Sequence, residues 1–375
     1  MSSDRPNAPF GLNPTRTDRA FHTFLDAARN HRMGPLYEQT YADYRRAGGN
    51  GGDTDAVLQV LDTLPAHQLY AWAMRHLQQF KYDYADLGIV TALEARKTDL
   101  RERLRDLSDA GVKSGDLVLD PNLEMPDYFT MTDFHQHPGG VAGDPLAGLA
   151  YEMARAARFK PGADSNNLYH NIFSYLPERD YTCVLDWGTS FGAGLRTWLD
   201  MHPGTEAHGV DLSEPCLRLA YVRAAERNMA AHWRQADLER LPYEDNSFDL
   251  AWFAFMLHEF PPARFPALFK EAARVLNETG VFIGFELAYV EDSPFQNALQ
   301  DQEGWLNDEP FMPACFKTDF TPLFREAGFS KVTIRRFDQM ADNVTHSSPD
   351  IPQRQTWNIY LAEKQRLPPI PNVSS

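Results

Sequence analysis

The segment VLDWGTSFGAG at residues 184–194 constrains the fold of this chain more than any other stretch of the sequence. An apolar run ends at Asp186 and is followed by a turn that contains Gly188, Gly192 and Gly194. This pattern predicts a buried strand that stops at a tight loop, where missing side chains let a nucleotide-like ligand lie against backbone N–H groups at a helix start. The loop predicts a cofactor site, and the alternative is a purely structural turn between strand and helix.

Two common phosphate-binding loops do not fit this spacing. A Walker loop ends in Gly-Lys-Ser/Thr, whereas Gly194 is followed by Leu195 and Arg196. A dinucleotide fingerprint has the spacing G-x-G-x-x-G, which differs from glycines at 188, 192 and 194. The spacing therefore argues against a P-loop and against NAD.

Further strand patterns follow at regular distances. The segment AHGVDLS at 207–213 predicts a strand that ends at Asp211, where a Rossmann-like fold places a carboxylate for ribose hydroxyls. Another short strand precedes Asp237, and apolar runs within 247–260 and at 281–286 predict strands covered on both faces. Because helical patterns separate these strands, the sequence predicts an α/β fold.

Four segments carry a resemblance to a known family: LDWGTSFGAG, GVDLS, ADLERLPYEDNSFDLAWFAFMLHEF and RVLNETGVFIGFE, in this order. Over roughly residues 180–365 the chain resembles the class I S-adenosylmethionine-dependent methyltransferases, in the small-molecule branch that includes enzymes of quinone biosynthesis. The resemblance implies a Rossmann-like, seven-stranded, mostly parallel sheet with an antiparallel last strand. It also implies S-adenosylmethionine as cofactor, with S-adenosylhomocysteine as product. One departure is Ser190, which replaces the middle glycine of the family's loop.

The resemblance assigns roles to individual residues. The glycine loop would line the amino-acid and sulfonium side of the cofactor, Asp211 would hold the ribose, and Asp237 would accept from the adenine amino group. Residues 253–255 would lie under the methionyl portion, although alternating aromatic residues on a central strand are also typical of plain core. The implied cofactor-binding residues are Asp186, Gly188, Ser190, Gly192, Asp211, Leu212, Asp237, Leu238, Phe253, Ala254 and Phe255.

The length of 375 residues allows two structural units. We predict a disordered tail over 1–19 and a mainly helical substrate or dimerisation domain over 20–160. The methyltransferase domain would cover 161–366, with a lid insertion at 292–317, and a flexible tail would cover 367–375. Packing of the N-terminal helices across a two-fold axis would give a homodimer.

Charge and cysteine usage narrow the class of partner. The formal net charge of −16 repels phosphate backbones, so we predict no nucleic-acid substrate. No apolar run reaches membrane-spanning length, so we predict no membrane partner. The three cysteines, Cys183, Cys216 and Cys315, are scattered and indicate a reducing, cytoplasmic setting.

Two segments are candidates for acceptor binding. Residues 125–140 combine aromatic, acidic and imidazole side chains beside a Pro-Gly-Gly turn, and Tyr128, His135 and His137 are the candidates there. The alternatives are an ordinary loop and a metal site at His135 and His137, but no third ligand is evident nearby and we predict no metal. Within the lid, Trp305 and Phe311 are the candidates, unless they merely cover the sheet edge or a dimer partner.

Methyl transfer is an in-line displacement, in which alignment alone contributes about 7 to 11 kcal/mol in favourable cases. A base is needed only when the acceptor carries a proton. His258 and Glu259 follow the fourth strand at the ligand-binding edge of the sheet, and His135 is a weaker candidate. These three are the predicted catalytic residues, with packing as the alternative for His258.

We predict methylation of a small organic acceptor, with oxygen favoured over carbon, nitrogen and sulfur. The alternatives are transfer of another group from the same sulfonium and a cofactor-binding regulatory or scaffold protein.

Overall fold

The sheet at the centre of the molecule has eight strands. The computed structural model describes residues 15–110, 115–158, 165–290, 293–337, 346–353 and 356–364. Within these ranges the strands are β1 (Gly115–Val118), β2 (Cys183–Trp187), β3 (Glu206–Asp211), β4 (Ala231–Gln235), β5 (Phe248–Ala254), β6 (Leu276–Leu287), β7 (Lys331–Phe337) and β8 (Trp357–Glu363). Their spatial order is β1-β4-β3-β2-β5-β6-β8-β7, and β8 is antiparallel to both of its neighbours.

This sheet confirms the predicted Rossmann-like α/β fold with an antiparallel last strand. The predicted number of seven strands is wrong by one, because β1 lies in the segment predicted as mainly helical and pairs in parallel with β4. The pairing brings the two backbones very close at Gly115, where a Cβ would lie 1.8 Å from the carbonyl oxygen of Ala231. Four residues are too few for a convincing strand pattern, so the sequence analysis missed this edge strand.

Helices cover both faces of the sheet. They are α8 (Ala147–Arg158), α9 (Ser165–Phe173), α10 (Ala193–Met201), α11 (Glu214–Glu226), α12 (Phe265–Val275) and α15 (Phe320–Glu326). Because both faces are covered, the central strands read as nearly continuous apolar runs, and Trp187, Trp252, Phe253 and Phe282 are almost completely buried. These large side chains form the main core. The carboxyl ends of the parallel strands form the edge of the sheet where cavities can lie.

The N-terminal part of the chain is mainly helical, as predicted. It contains α1 (Arg16–His31), α2 (Tyr37–Arg46), α3 (Thr54–Leu61), α4 (Pro65–Tyr82), α5 (Ile89–Glu94), α6 (Lys97–Asp109) and the single turn α7 (Asp127–Thr130), with a π-helical turn at Arg32–Leu36. A capping box between Thr15 and Asp18 starts α1 inside the stretch predicted as a tail. The rest of that stretch, the boundary at 160 and the tail at 367–375 lie outside the described residues.

The predicted lid forms two helices, α13 (Pro294–Leu306) and α14 (Met312–Lys317). Phe295, Ala298 and Leu299 of α13 pack into one apolar cluster with side chains of the N-terminal helices, among them Tyr37 and Tyr70. The insertion is therefore bound firmly to the N-terminal helices, and the two together cover the open edge of the sheet. Among the described helices, none is both long and apolar enough to cross a membrane.

Candidate active site

Two adjoining cavities lie over the carboxyl ends of the parallel strands. The smaller one, about 70 Å³, is lined by residues that follow β2, β3 and β5. The larger one, about 140 Å³, lies between the N-terminal helices and the lid helices. Tyr151, Arg155 and Phe255 line both cavities and mark the place where they meet.

The glycine loop shapes the smaller cavity through its backbone. Gly188 has a φ of +79°, and a Cβ there would lie 2.6 Å from the sulfur of Met256. Ser190 has a φ of +50°, in the left-handed region that favours glycine, which costs a side chain on the order of 1 kcal/mol. Its N–H donates to Oδ2 of Asp211 at 2.7 Å. The loop thus forms the same tight turn with a serine at its middle position, and the hydrogen bond to Asp211 stabilises Ser190 in this conformation.

Asp211 is the acid that faces the smaller cavity. Its Oδ1 accepts from the N–H of Ser213 at 2.8 Å and its Oδ2 from the N–H of Ser190, so the carboxylate is fixed in place. Each carboxylate oxygen has a second acceptor position. Burial raises the pKa of Asp211 to about 6, although its bonds from backbone N–H groups act in the opposite direction. Asp211 is therefore built to accept hydrogen bonds from a ligand.

Asp186, a predicted cofactor-binding residue, contacts the glycine loop and the start of α10. Its Oδ2 accepts from the hydroxyl of Thr189 at 2.8 Å and from the N–H of Leu195 at 3.0 Å, so it connects the loop to the start of α10. It is only 4% exposed and does not line either cavity. Burial raises the pKa of this carboxyl to about 7. The structure makes Asp186 a support of the loop.

Most of the other predicted cofactor-binding residues reach the smaller cavity. Those at its wall are Gly188, Ser190, Leu212, Leu238, Ala254 and Phe255. Gly192, Asp237 and Phe253 are not at the wall. Gly192 instead allows Trp233 to pack closely, since a Cβ would lie 2.5 Å from the indole ring. Phe253 is core, with its ring centroid 5.2 Å from that of Phe282, so the packing alternative describes it correctly.

Two imidazoles and three carboxylates form a cluster beside the larger cavity. The Nδ1 of His135 lies 2.8 Å from Oε1 of Glu309, and its Nε2 lies 3.1 Å from Oε1 of Glu259. The Nδ1 of His258 lies 2.7 Å from Oε1 of Glu286. We call these five residues the His–Glu cluster. It contains His135, His258 and Glu259, the three predicted catalytic residues, although His135 and Glu259 are 124 positions apart in sequence.

Electrostatics inside the His–Glu cluster favour charged side chains. Burial alone would lower the pKa of His258, but the carboxylates of Glu286 and Glu309 raise it to about 9. Burial would raise the pKa of Glu259, yet the hydrogen bond from His135 lowers it. The pKa of His135 is likewise raised, because Glu309 and Glu259 outweigh the effect of burial. The surrounding carboxylates thus favour the protonated form of both imidazoles.

The predicted acceptor-binding residues are only partly brought together. His135 lines the larger cavity and Tyr128 the smaller one. His137 is buried in a stack on Tyr82, with ring centroids 4.8 Å apart, and burial lowers its pKa to about 4. Trp305 is 69% exposed on α13, and Phe311 packs beside Phe134. These three side chains are not at the wall of either cavity.

Sequence reasoning missed four residues of this site. Tyr151 and Arg155 lie on α8, in a helical pattern with no chemical signal. Glu309 lies in the lid, where only aromatic residues were predicted to bind the acceptor. Glu286 could have been found, since it follows the apolar run VFIGF near the end of β6, much as Asp211 follows the apolar part of β3.

Comparison with known proteins agrees with this geometry. The methyltransferase domain family matches residues 184–280, the stretch from β2 into β6. Over that stretch the chain is similar to methyltransferase domains. A malonyl-[acyl-carrier protein] O-methyltransferase of Pseudescherichia vulneris is 41% identical to the chain over 112 residues, which are 28% of the chain and 42% of that enzyme. A demethylmenaquinone methyltransferase of Staphylococcus saprophyticus is 28% identical over 189 residues, or 44% of the chain and 76% of that enzyme.

The methyltransferase domain confirms the resemblance to class I S-adenosylmethionine-dependent methyltransferases. The chain spans less than half the length of the P. vulneris enzyme. Among solved structures, phosphoethanolamine N-methyltransferase 2 of Haemonchus contortus aligns with a TM-score of 0.45 and 17% identity, over 66% of the chain and 62% of that protein. The N-terminal helices and the lid lie outside the stretch that the family matches.

Proposed function

We propose that this protein transfers a methyl group from S-adenosylmethionine to a small organic acceptor. The observation that carries the proposal is the junction of the two cavities at Tyr151, Arg155 and Phe255. One cavity is lined by strand ends of the methyltransferase domain, where open α/β sheets bind their ligands. The other is closed off by elements from outside that domain, and it offers a separate place for the acceptor.

The smaller cavity fits the cofactor. Gly188 lines this cavity without a side chain, and Asp211 offers acceptor positions for ribose hydroxyls. Leu212 and Leu238 supply apolar cover for a purine. When bound, S-adenosylmethionine supplies a methyl carbon activated by the adjacent sulfonium. The residues of this chain bind the nucleoside, exclude water and fix the direction in which the methyl group points.

The larger cavity fits a small polar acceptor. Its wall combines aromatic side chains, such as Tyr82 and Trp357, with cationic ones, such as Arg32 and Lys81. His135 and His258 belong to the wall of this cavity, and Glu259 belongs to the wall of the smaller one. We therefore keep the His–Glu cluster as the part of the site that orients the reacting atom of the acceptor. Methylation of oxygen remains the favoured form of the proposal.

Two donors that differ only in the labelled position test this function. The purified protein is incubated with a metabolite extract and S-adenosylmethionine labelled either in the methyl group or in the aminocarboxypropyl chain. The proposal predicts a labelled small molecule from the methyl-labelled donor alone. Label from the second donor would indicate transfer of another group. Donor binding without any labelled product would support a regulatory protein and contradict the proposal.

The pKa of Asp211 predicts how donor affinity depends on pH. The ionised carboxylate accepts hydrogen bonds from ribose hydroxyls, and protonation removes its charge. With a pKa of about 6, we expect the affinity for S-adenosylhomocysteine to fall about tenfold between pH 7.5 and pH 5. Calorimetric titration at the two pH values measures this change. The Asp211→Asn variant, which does not titrate, should bind equally weakly at both, and equal affinity of the unaltered protein at both would refute the assignment.

A cytoplasmic location and a small-molecule partner belong to the same proposal. All three cysteines are free thiols in the structure, in line with the reducing setting that their scatter predicted. A homodimer built from the N-terminal helices stays a prediction, which sedimentation of the purified protein would decide.

A further inference from the structure

The orientation of the two imidazoles in the His–Glu cluster is unusual for bases that act alone. The Nδ1 of each ring faces its own carboxylate, Glu309 for His135 and Glu286 for His258, at 2.8 and 2.7 Å. An imidazole that gives up its Nε2 proton while donating from Nδ1 has a lone pair on Nε2 for a metal ion. Carboxylates that fix the rings in this way are typical of histidines whose Nε2 atoms bind a metal ion.

Glu309 supplies an independent sign that a cation belongs here. It is 2% exposed, and its Oε2 has no hydrogen-bond partner among the described residues. That oxygen lies 3.5 Å from Nε2 of His258. A buried carboxylate oxygen without a hydrogen-bond partner is costly, and a cation bound in this cluster would offset that cost.

The donor atoms are close enough to share one ion. His135, His258 and Glu259 each offer a ligand atom, and the three atoms lie within 4.8 Å of one another. Three buried or half-buried carboxylates surround only two imidazoles, so a divalent cation would balance most of their charge. Nitrogen ligands make Zn²⁺, Mn²⁺ or Fe²⁺ better matches than Ca²⁺ or Mg²⁺, which prefer all-oxygen sites.

We propose that His135, His258 and Glu259 bind a divalent transition-metal ion, with Glu309 and Glu286 orienting the two imidazoles. His135 and His258 face the larger cavity and Glu259 the smaller one, so the ion would lie where the two cavities meet. An ion there would bind an acceptor oxygen and lower its pKa, and the imidazoles would serve as ligands and not as bases. The ion site stands on its own geometry and does not require the proposed methyl transfer.

Cobalt binding tests the site without any activity assay. The protein is treated with a chelator, dialysed and titrated with Co²⁺, and visible absorption and metal analysis report the geometry and the stoichiometry. We expect roughly one ion per chain, with the d–d bands of nitrogen and oxygen ligation. His135→Gln should abolish these bands, and Glu309→Gln should weaken binding about 10- to 100-fold, because it removes the carboxylate that orients His135.

His208→Gln is the matched control. Cys183, Glu206 and His208 form the only other described group with metal-ligand spacing, on neighbouring strands away from both cavities. The control should keep the bands and the stoichiometry. Unfolding curves show whether each variant is folded, and Glu259→Gln replaces His135→Gln if that variant does not fold. Absence of Co²⁺ binding to the unaltered protein, binding that survives loss of a cluster ligand, or binding lost in the control would each overturn the proposal.

Discussion

Replacing Asp211 with alanine is expected to abolish measurable binding of S-adenosylhomocysteine. The carboxylate lines the smaller cavity and is fixed by N–H groups of Ser190 and Ser213. A hydrogen bond to a charged group contributes about 1.5 to 3 kcal/mol, so losing two ribose contacts lowers affinity by at least about 100-fold. The glycine loop also loses the acceptor that holds it beside Ser190. Isothermal titration of both proteins measures the difference.

Asp249→Ala is the control for this experiment. Asp249 also accepts from two backbone N–H groups, those of Thr182 and Cys183 at 2.7 and 3.0 Å. It lies near the amino end of β5, beside the start of β2 and outside both cavities. Its loss should lower stability and leave donor affinity unchanged. If Asp211→Ala still binds within threefold of the unaltered protein, or if both variants lose affinity equally, Asp211 does not hold the ligand.

Replacing Glu286 with alanine is expected to cost about 3 to 5 kcal/mol of folding free energy. Glu286 is completely buried, and its carboxylate accepts from Nδ1 of His258 and from the N–H groups of Met256 and Leu287. Alanine leaves these donors without an acceptor inside the core, which is the costly way to break a buried pair. Urea unfolding followed by tryptophan fluorescence measures the shift of the midpoint.

Glu286→Gln separates the lost contacts from the lost charge. The glutamine carbonyl keeps an acceptor at nearly the same place and fills the same volume, so the expected cost falls to about 1 to 2 kcal/mol. A loss below 1 kcal/mol in the alanine variant would show that His258 and the backbone find other partners. The role of Glu286 as an orienting group would then fail.

The site residues that could be predicted from the sequence are those that directly follow a recognisable buried strand. Asp211 could be placed because an acid that follows a buried parallel strand lies at the ligand-binding edge of the sheet, and the family resemblance added Leu212 and Leu238. His258 and Glu259 follow β5 directly, so their position at the open edge also followed from sequence. Asp186 follows a strand in the same way, but the structure shows that its Oδ2 already accepts hydrogen bonds from Thr189 and Leu195.

The rest depended on contacts between distant parts of the chain. His135 meets Glu309 across 174 positions, and neither residue lies in a pattern that predicts the other. Trp305 and Phe311 looked like pocket residues because they are aromatic, but the register of α13 turns Trp305 to the surface. The edge strand β1 could not be predicted from the sequence, because its four residues are held mainly by backbone pairing with β4.

A crystal structure of the protein with S-adenosylhomocysteine tests the central claim most directly. The account predicts the nucleoside in the smaller cavity, with its ribose hydroxyls on Asp211 and its sulfur directed at the junction formed by Tyr151, Arg155 and Phe255. A ligand bound elsewhere, or one whose sulfur points away from the larger cavity, would contradict the account.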